Sequence, residues 1–471
     1  MTIVPLRAEL LAATSLLDLA RRLGEVCLAE ERHLTRICAA EETEPQRLYL
    51  EGLVAAIDPL QWQARPPHGF VHLLDEHELE PVIRHLSTYS PLEHLAFVRG
   101  LCARALTNYF EQTEEKILLD RGLPLPFAIR PFNKSFTATT PSAETLAKRG
   151  LLRGLGYQFF RHAATESIQV TLDFRHRDRL DSVTWSEALK LPLVATLHPP
   201  LGDGQIDFTQ QDSSFFDVKP KHWSLEDTLE WLRSVRHQQI AILPELSLPS
   251  PCALAASLAE APCDYPPLIV AGSAHVRVDG DAVRANESHV YLDGQPVTAH
   301  RKIQPLETQK LGARLFSQGL CEAITREPKD LVVLSGEHTR LAVVICADLN
   351  DSDIPGLLEA TGVNLLLVPA LTYSAGAFNG TVCHLASQCQ AVCVVVNADL
   401  SATNDGPVGA TENPFLVLAS VPRPDPQDQS RAYYRDPADR VGLPRGIFDP
   451  NIELDEAMCW EAPLAGDHAT N

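Results

Sequence analysis

The pattern of apolar and polar residues changes along the chain, first after about residue 121, where mixed segments with prolines begin, and again close to residue 190. Up to about residue 130, apolar residues recur at intervals of three and four, for example in residues 10–27 and 92–105. This spacing lines one face of an α-helix and predicts a mainly helical N-terminal region. Ser90, Pro91 and Glu93 have the form of a capping box with proline in the first helical turn. We therefore expect a helix to begin there, with its apolar face in a core or, alternatively, against a partner protein.

After residue 190 the apolar residues form short continuous runs rich in Val, Ile and Leu. Runs without polar alternation are typical of strands buried on both faces, as in α/β sheets covered by helices. Ser224 and Asp227 predict the start of a helix between two of these runs, and Asp293-Gly294 predicts a hairpin turn between antiparallel strands. The six runs are LVATL (193–197), QIAIL (239–243), LIVAG (268–272), LAVVIC (341–346), NLLLVP (364–369) and VCVVVN (392–397).

These patterns predict a chain of three parts. Residues 1–185 form a mainly helical N-terminal domain, residues 186–425 an α/β domain, and residues 426–471 a tail rich in Pro and Asp that wraps the surface or is partly disordered. The charged run RHRDR at 175–179 interrupts the apolar periodicity. We expect this run to be a solvated linker or domain edge, and the α/β part to fold without the residues before it.

Composition places the protein among ordinary folded chains. Its 471 residues are 45% hydrophobic and 21% charged, which excludes wholesale disorder, collagen and coiled coil. The formal net charge of −21 argues against nucleic-acid binding, because attraction to phosphates requires clustered Lys and Arg. No stretch approaches the roughly 18 uninterrupted apolar residues of a membrane span, and the N-terminus has no signal-peptide core. We therefore expect a cytoplasmic protein with no membrane partner.

The 11 cysteines are scattered, with no CxxC pair and no partnered His spacing. Neither a disulfide framework nor a structural zinc site is indicated by such a distribution. We expect most of these cysteines to be buried, reduced thiols, and we expect no metal.

Three strand ends carry residues that together could perform nucleophilic catalysis. Glu245 follows QIAILP, Lys302 follows the predicted hairpin, and Cys346 ends LAVVIC. Groups delivered at strand ends of an α/β sheet converge on one crevice. A cysteine attacks a carbonyl or nitrile carbon as the thiolate, and a carboxylate with a raised pKa can remove its proton. Glu245 is the candidate base, and Lys302 with the Ala347 backbone amide is the candidate stabiliser of the tetrahedral oxyanion.

These residues lie in segments that resemble the nitrilase or carbon-nitrogen hydrolase superfamily. ILPEL, HRKIQ and VVICADL resemble its glutamate, lysine and cysteine motifs, in the same order and with separations of 57 and 44 residues. The resemblance covers residues 190–420. It implies an αββα sandwich that hydrolyses amides, nitriles or ureides of small molecules through a thioester, without a metal or organic cofactor. It further implies a homo-oligomer, a dimer or larger.

Two positions depart from the pattern of that superfamily. Its members commonly carry a second glutamate after the lysine, and the nearest candidate is Glu307, at a shorter spacing than usual. Where an Arg-Ala-x-Glu-Asn helix is often found, this chain has HLASQCQA, with Gln388 near the glutamate position. Subunit contacts or pocket shape are therefore expected to differ.

Other functions are consistent with the same residues. A nitrilase-like effector, regulated or non-catalytic, would use the helical N-terminal domain to sense a protein partner, for example in bacterial stress or antiphage defence. Acyl transfer to an amine would use the same triad as hydrolysis. A thiol protease would pair Cys346 with a distant histidine such as His275 or His338. Cys383 and His384 are neighbours that point apart on a helix, so they cannot form such a pair.

Overall fold

The structure is a computed structural model that describes the regular core of the chain. The described residues are 116–118, 124–128, 157–161, 168–184, 194–196, 206–210, 215–220, 224–248, 250–277, 284–305, 321–322, 324–325, 329–336, 339–372, 376–389, 391–397, 417–420, 432–435 and 447–448. The helices expected before residue 116, including the one capped by Ser90, lie outside this set. The helical N-terminal domain therefore stays a prediction.

The described residues contain strands and helices, which alternate over residues 215–270 and 354–397. The helices are α1 (Arg177–Thr184), α2 (Leu225–Ser234), α3 (Pro251–Glu260), α4 (Ile354–Ala360) and α5 (Gly376–Cys389), and Pro262–Asp264 and Cys346–Asn350 are single 3₁₀ turns. The strands are β1 (Lys116–Leu118), β2 (Pro124–Ala128), β3 (Tyr157–Arg161), β4 (Gln169–Asp173), β5 (Val194–Thr196), β6 (Ile206–Gln210), β7 (Phe215–Pro220), β8 (Ile240–Ile242), β9 (Leu268–Val270), β10 (Ala274–Arg277), β11 (Arg284–Leu292), β12 (Gln295–Arg301), β13 (Cys321–Glu322), β14 (Asp330–Ser335), β15 (Arg340–Val343), β16 (Leu365–Ala370), β17 (Val392–Asn397), β18 (Val417–Ser420), β19 (Ala432–Arg435) and β20 (Ile447–Phe448).

Each of the six apolar runs predicted as strands contains a strand. They are β5, β8, β9, β15, β16 and β17. Every residue of β8, β9, β16 and β17 is buried, as expected for strands that are covered on both faces.

The strands of the α/β region form two large sheets. One has the order β1-β4-β14-β15-β16-β17-β18-β19, with parallel pairing of β15, β16 and β17 at its centre. The other has the order β10-β11-β9-β8-β5-β20, with β12 also paired to β11. In this second sheet β5, β8 and β9 are parallel neighbours. Glu245 and Cys346 follow the carboxyl ends of two of these parallel strands, β8 and β15, and Lys302 follows the antiparallel strand β12.

Alternate residues of the central strands enter different cores, which defines the layers. Leu365 and Leu367 of β16 share a core with Ile240 and Ile242 of β8, so the two sheets pack face to face. Leu366 and other residues on the opposite face of the first sheet pack under α4 and α5. The opposite face of the second sheet packs in the same way under α2 and α3. The described α/β region is thus an αββα sandwich, as the resemblance of the three motifs implied.

Local signals in the sequence also appear as predicted. The Ser224 hydroxyl accepts the Asp227 amide at 3.1 Å, and the Asp227 carboxylate accepts the Ser224 amide at 2.8 Å, which completes a capping box at the start of α2. The hairpin between β11 and β12 turns at Asp293 and Gly294, with φ of 49° and 75°. Two residues at positive φ are the signature of a tight hairpin turn. No helix among the described residues has the length and hydropathy required to cross a lipid bilayer.

The predicted boundary at residue 185 does not match the sheets. Strand β4 lies before it, yet pairs in parallel with β14, and its Val170 and Leu172 are buried in the core of the first sheet. The run at 175–179, expected to be a linker, leads into α1, whose Leu180 and Val183 are buried between the sheets. This segment is part of the sandwich because its apolar residues are spaced for a short helix, despite the charges around them.

The boundary at residue 425 is also too early. Strand β19 pairs with β18 in the first sheet, and β20 pairs with β5 in the second. Residues expected in a surface tail therefore add strands to both sheets. The sequence signal was weak here because short strands at a sheet edge need little apolar periodicity.

Candidate active site

Glu245 lies at the end of β8, in a turn that is fixed by the neighbouring strand end. Its backbone amide donates to the Ala370 carbonyl of β16 at 3.3 Å, a bond that joins the two sheets. The next amide, of Leu246, donates to the Ser273 hydroxyl at 3.0 Å. Leu246 has a φ of 57°, which is uncommon for a residue with a branched side chain. The turn therefore holds the buried Glu245 side chain inside the protein.

Gly272 allows this turn to approach the end of β9. A Cβ at this position would lie 2.2 Å from the Pro244 carbonyl oxygen and 2.5 Å from the Ser247 hydroxyl. The φ of Gly272 is +59°, a conformation that glycine adopts without steric cost. A glycine is therefore required here for the backbone that carries Glu245 to reach its position.

Lys302 follows β12 and is fully buried. Its backbone amide donates to the Asn286 carbonyl of β11 at 2.8 Å. Its ammonium donates to Glu245 Oε1 at 2.6 Å and to Glu322 Oε2 at 2.7 Å. An ammonium has three N–H donors, so these two bonds leave a third for another acceptor. A lysine without exposed surface is rare unless it is paired, and here it is paired twice.

Cys346 follows β15 at the first position of the 3₁₀ turn Cys346–Asn350. Its φ is 45°, in the left-handed region that non-glycine residues seldom occupy. Such backbone conformations cost on the order of 1–3 kcal/mol and cluster at functional sites. The thiol donates to the Leu371 carbonyl, with Sγ and O 3.6 Å apart. The Ala347 amide, the candidate oxyanion donor, lies in the same first turn, where backbone N–H groups lack a partner within the helix.

Glu322 is a site residue that the sequence did not reveal. Its short strand, β13, lies 20 residues beyond Lys302, and the carboxylate is buried against the ammonium. Glu307, the residue suggested for a second glutamate, lies outside the described residues. In the structure Glu322 is the second carboxylate on Lys302. The available signal was a glutamate in a short segment after the lysine motif, but its distance along the chain depends on intervening residues that carry no recognisable pattern.

Asn286 and His275 complete the cluster from two paired strands. They are Cα partners across β10 and β11. The Asn286 amide donates to Glu245 Oε1 at 3.0 Å and to Glu322 Oε1 at 2.8 Å. His275 Nε2 lies 2.8 Å from the same oxygen of Glu322. These three bonds and the two from Lys302 leave Glu245 Oε2 without a hydrogen bond of standard geometry within the described part of the chain.

Burial and charge together set the protonation of the cluster. Burial, reinforced by the negative charge of Glu322, raises the pKa of Glu245, although Lys302 acts in the opposite direction. Burial also raises the pKa of the Cys346 thiol well above its ordinary value, and the nearby Glu245 carboxylate adds to this effect. The resting thiol is therefore protonated, and the carboxyl beside it has an increased affinity for a proton.

Lys302 and Glu322 are stabilised in their charged forms. Burial by itself lowers the pKa of Lys302, but the carboxylates of Glu245 and Glu322 outweigh it, so that this pKa is raised well above its usual value. Burial raises the pKa of Glu322, but Lys302 and His275 outweigh it and lower this pKa below its usual range. The cluster thus combines a fixed ion pair with one carboxyl, Glu245, that can exchange a proton.

The contacts do not support a catalytic pair of Cys346 with His275, and they do not test a pair with His338. His275 Nε2 is bonded to Glu322, and His338 lies outside the described residues. The Cys383 thiol donates to the Asn379 side chain, and His384 Nε2 lies 3.2 Å from Glu359. Among the described residues, no group of three or more His, Cys, Asp or Glu side chains is arranged to hold a metal ion.

Comparison with known proteins gives weak likenesses. No family model and no curated protein matches the sequence. Among solved structures, the chain is similar to Nit3 of Saccharomyces cerevisiae, described as a member of branch 10 of the nitrilase superfamily, with 11% identity over 60% of this chain and 98% of that one and a TM-score of 0.35. It is also similar to a variant of the Nesterenkonia AN1 amidase from the nitrilase superfamily, with 14% identity, coverages of 57% and 97%, and a TM-score of 0.32.

A third similar structure is a glutamine-dependent NAD+ synthetase from Acinetobacter baumannii in complex with adenosine diphosphate. It is 16% identical over 52% of this chain and 44% of that one, with a TM-score of 0.31. The matched structures thus include members of the superfamily whose motifs the sequence resembles. Since all three TM-scores are below 0.5, these matches do not assign the chain to a family.

Proposed function

We propose that the protein is a carbon-nitrogen hydrolase of the nitrilase type, which cleaves an amide or related C–N bond of a small molecule through a thioester on Cys346. The observation that carries this proposal is the buried contact of Lys302 with Glu245 and Glu322 beside a cysteine in a strained turn. The order of the three sequence motifs and the αββα layers support it.

The first half of the reaction forms the thioester. As Cys346 Sγ attacks the carbonyl carbon, Glu245 takes the thiol proton and the carbonyl electrons move to oxygen. Lys302 Nζ and the Ala347 amide donate to this oxyanion, where preorganised donors are worth most because water is excluded. Glu245 then gives its proton to the nitrogen, the C–N bond breaks, and ammonia or an amine leaves.

The second half releases the acid. A water molecule attacks the thioester carbon while Glu245 takes one of its protons, and a second tetrahedral oxyanion forms at the same donors. When this intermediate collapses, the C–S bond breaks and the sulfur recovers a proton from Glu245. Glu322 stays ionised throughout, and its role is to keep Lys302 charged and in place while Glu245 changes its protonation.

Two measurements test this function: the release of ammonia and the mass of the peptide that contains Cys346. The full-length chain is incubated with a panel of small primary amides, and an acid-quenched sample is digested to find an acylated Cys346 peptide. We expect Cys346→Ala to abolish release, and Glu245→Gln to lower the rate about 100 to 10,000-fold, the range of a positioned general base. Cys263→Ala, at an exposed thiol, is the matched control and should keep the wild-type rate. Turnover by Cys346→Ala equal to that of the wild type would refute the proposal.

Partner binding and assembly are further parts of the proposal. We infer that the N-terminal region binds a protein partner that turnover does not require, and that the active protein is a homo-oligomer in the cytoplasm. A regulated or non-catalytic effector is the second candidate function, and the ammonia assay distinguishes it from the first. Such a protein would release ammonia only when a partner is present, or not at all.

A further inference from the structure

A buried carboxylate outside the proposed triad joins the two segments that carry its lysine and cysteine. Asp348 lies two residues after Cys346, in the same 3₁₀ turn, and is fully buried. A carboxylate is costly to bury unless hydrogen-bond donors surround it. The donors that surround Asp348 come from both segments.

One oxygen of Asp348 binds the segment that follows Lys302. Oδ1 accepts the Ile303 amide at 2.9 Å and the Gln304 amide at 2.7 Å. These two amides lie immediately after the lysine, where β12 has ended. Hydrogen bonds to a carboxylate are shorter and about twice as strong as those between neutral groups. Asp348 therefore links the backbone that follows Lys302 to the turn that contains Cys346.

The other oxygen of Asp348 is held from both sides of the site. Oδ2 lies 2.8 Å from His300 Nε2, and both of these side chains are buried. The same oxygen accepts the Ile345 amide, next to Cys346, at 3.4 Å. His300 lies two residues before Lys302 on β12. One carboxylate thus has partners before and after the lysine and directly before the cysteine.

We propose that Asp348, oriented by His300, is a positioning residue that fixes Lys302 relative to Cys346. This inference rests on the proposed function, in which Lys302 and Cys346 act on the same carbonyl group. Lys302 follows a strand of the second sheet, and Cys346 follows a strand of the first sheet. The distance between the two side chains therefore depends on contacts between the two sheets. A misplacement of about 1 Å at a reacting centre can lower the rate about 100-fold.

The first test separates kcat from KM in the full-length enzyme. Asp348→Ala should lower kcat about 100-fold with KM changed less than about threefold, since the substrate pocket is kept and the geometry of attack is lost. Asp348→Asn keeps one oxygen for the Ile303 and Gln304 amides and should lose less, about 10-fold. Glu287→Gln is the matched control, because Glu287 binds Arg301, the residue before Lys302, at 2.7 Å and lies outside the site.

The second test needs no substrate and follows alkylation of Cys346 by iodoacetamide. Peptide mass spectrometry measures its rate, with the exposed Cys252 and Cys263 as internal references. We expect Lys302→Met and Asp348→Ala each to slow alkylation, because the positive charge of Lys302 lowers the pKa of the thiol when it is in place. The double variant should be no slower than Lys302→Met, since Asp348 acts through the lysine.

The outcomes separate this inference from the proposed function. If the wild type hydrolyses no amide but the alkylation rates are non-additive, the function fails and the positioning role stands. Additive effects on alkylation, or an Asp348→Ala enzyme with wild-type kcat, would overturn the positioning role. Should Lys302→Met be unfolded by circular dichroism, Lys302→Gln takes its place in the same cycle.

Discussion

Replacing Lys302 by methionine would leave two carboxylates buried together without their cation. Glu245 and Glu322 lie 2.6 and 2.7 Å from the lysine nitrogen, and none of the three side chains has exposed surface. Methionine is close to lysine in length, so the main change is the loss of charge and hydrogen bonds. Removing one member of a buried ion pair typically destabilises a protein by about 3–5 kcal/mol, because an uncompensated charge stays buried.

The loss of stability should depend on pH in a defined direction. Without Lys302, one carboxyl of the pair is expected to keep a proton in the folded state, because burial and the other carboxylate raise its pKa. The unfolded chain releases that proton above a pKa of about 4.3. Folding then binds one extra proton, so the free energy of unfolding falls by about 1.4 kcal/mol per pH unit. This loss begins above about pH 4.3 and continues until the raised pKa of the folded state is reached.

Urea denaturation followed by tryptophan fluorescence at several pH values between 5 and 8 measures this effect. In the wild type Lys302 opposes the rise of the Glu245 pKa, so relative to the wild type Lys302→Met should lose more stability at pH 7 than at pH 5, by at most about 2.7 kcal/mol. Arg301→Met, which removes the neighbouring cation from a partly exposed pair with Glu287, should cost less and show no such slope. Adding Glu322→Gln to Lys302→Met should reduce the slope. Parallel curves for the wild type and Lys302→Met would refute the reasoning.

Two further predictions concern the architecture around the site. Gly272→Ala should destabilise the protein by about 1–3 kcal/mol and lower kcat, because the new Cβ meets the Pro244 carbonyl and shifts the Glu245 turn. The control is Gly356→Ala in α4, where a Cβ meets nothing within 4 Å. Equal stability of the two variants would contradict the prediction. A chain that begins at residue 186 lacks β1, β4 and α1, which leaves the edge of β14 open. This chain should be less stable and more prone to aggregate than a chain that begins at residue 112. Equal thermal midpoints and solubility of the two chains would show that these elements are dispensable.

The sequence contained most of the information about the local elements of the α/β region. Runs such as NLLLVP and VCVVVN predicted buried strands, because they are short, rich in Val, Leu and Ile, and apolar without alternation. The cap at Ser224 and the turn at Asp293 depend on neighbouring residues alone. The three residues at strand ends, Glu245, Lys302 and Cys346, could be named because their segments occur in the order of the superfamily motifs that they resemble, although each motif alone is a weak signal.

The tertiary structure alone decided what surrounds these residues and where the fold begins and ends. Glu322 and Asn286 were not found from the sequence, and His275 was named only as a possible protease partner of Cys346. A buried polar side chain has no pattern of its own, and its partners come from distant strands. The membership of β4 in the first sheet was missed for the same reason, since β4 pairs with β14, a strand far from it along the sequence. Hydrophobic periodicity specifies which residues are buried, but only long-range strand pairing determines which buried groups meet.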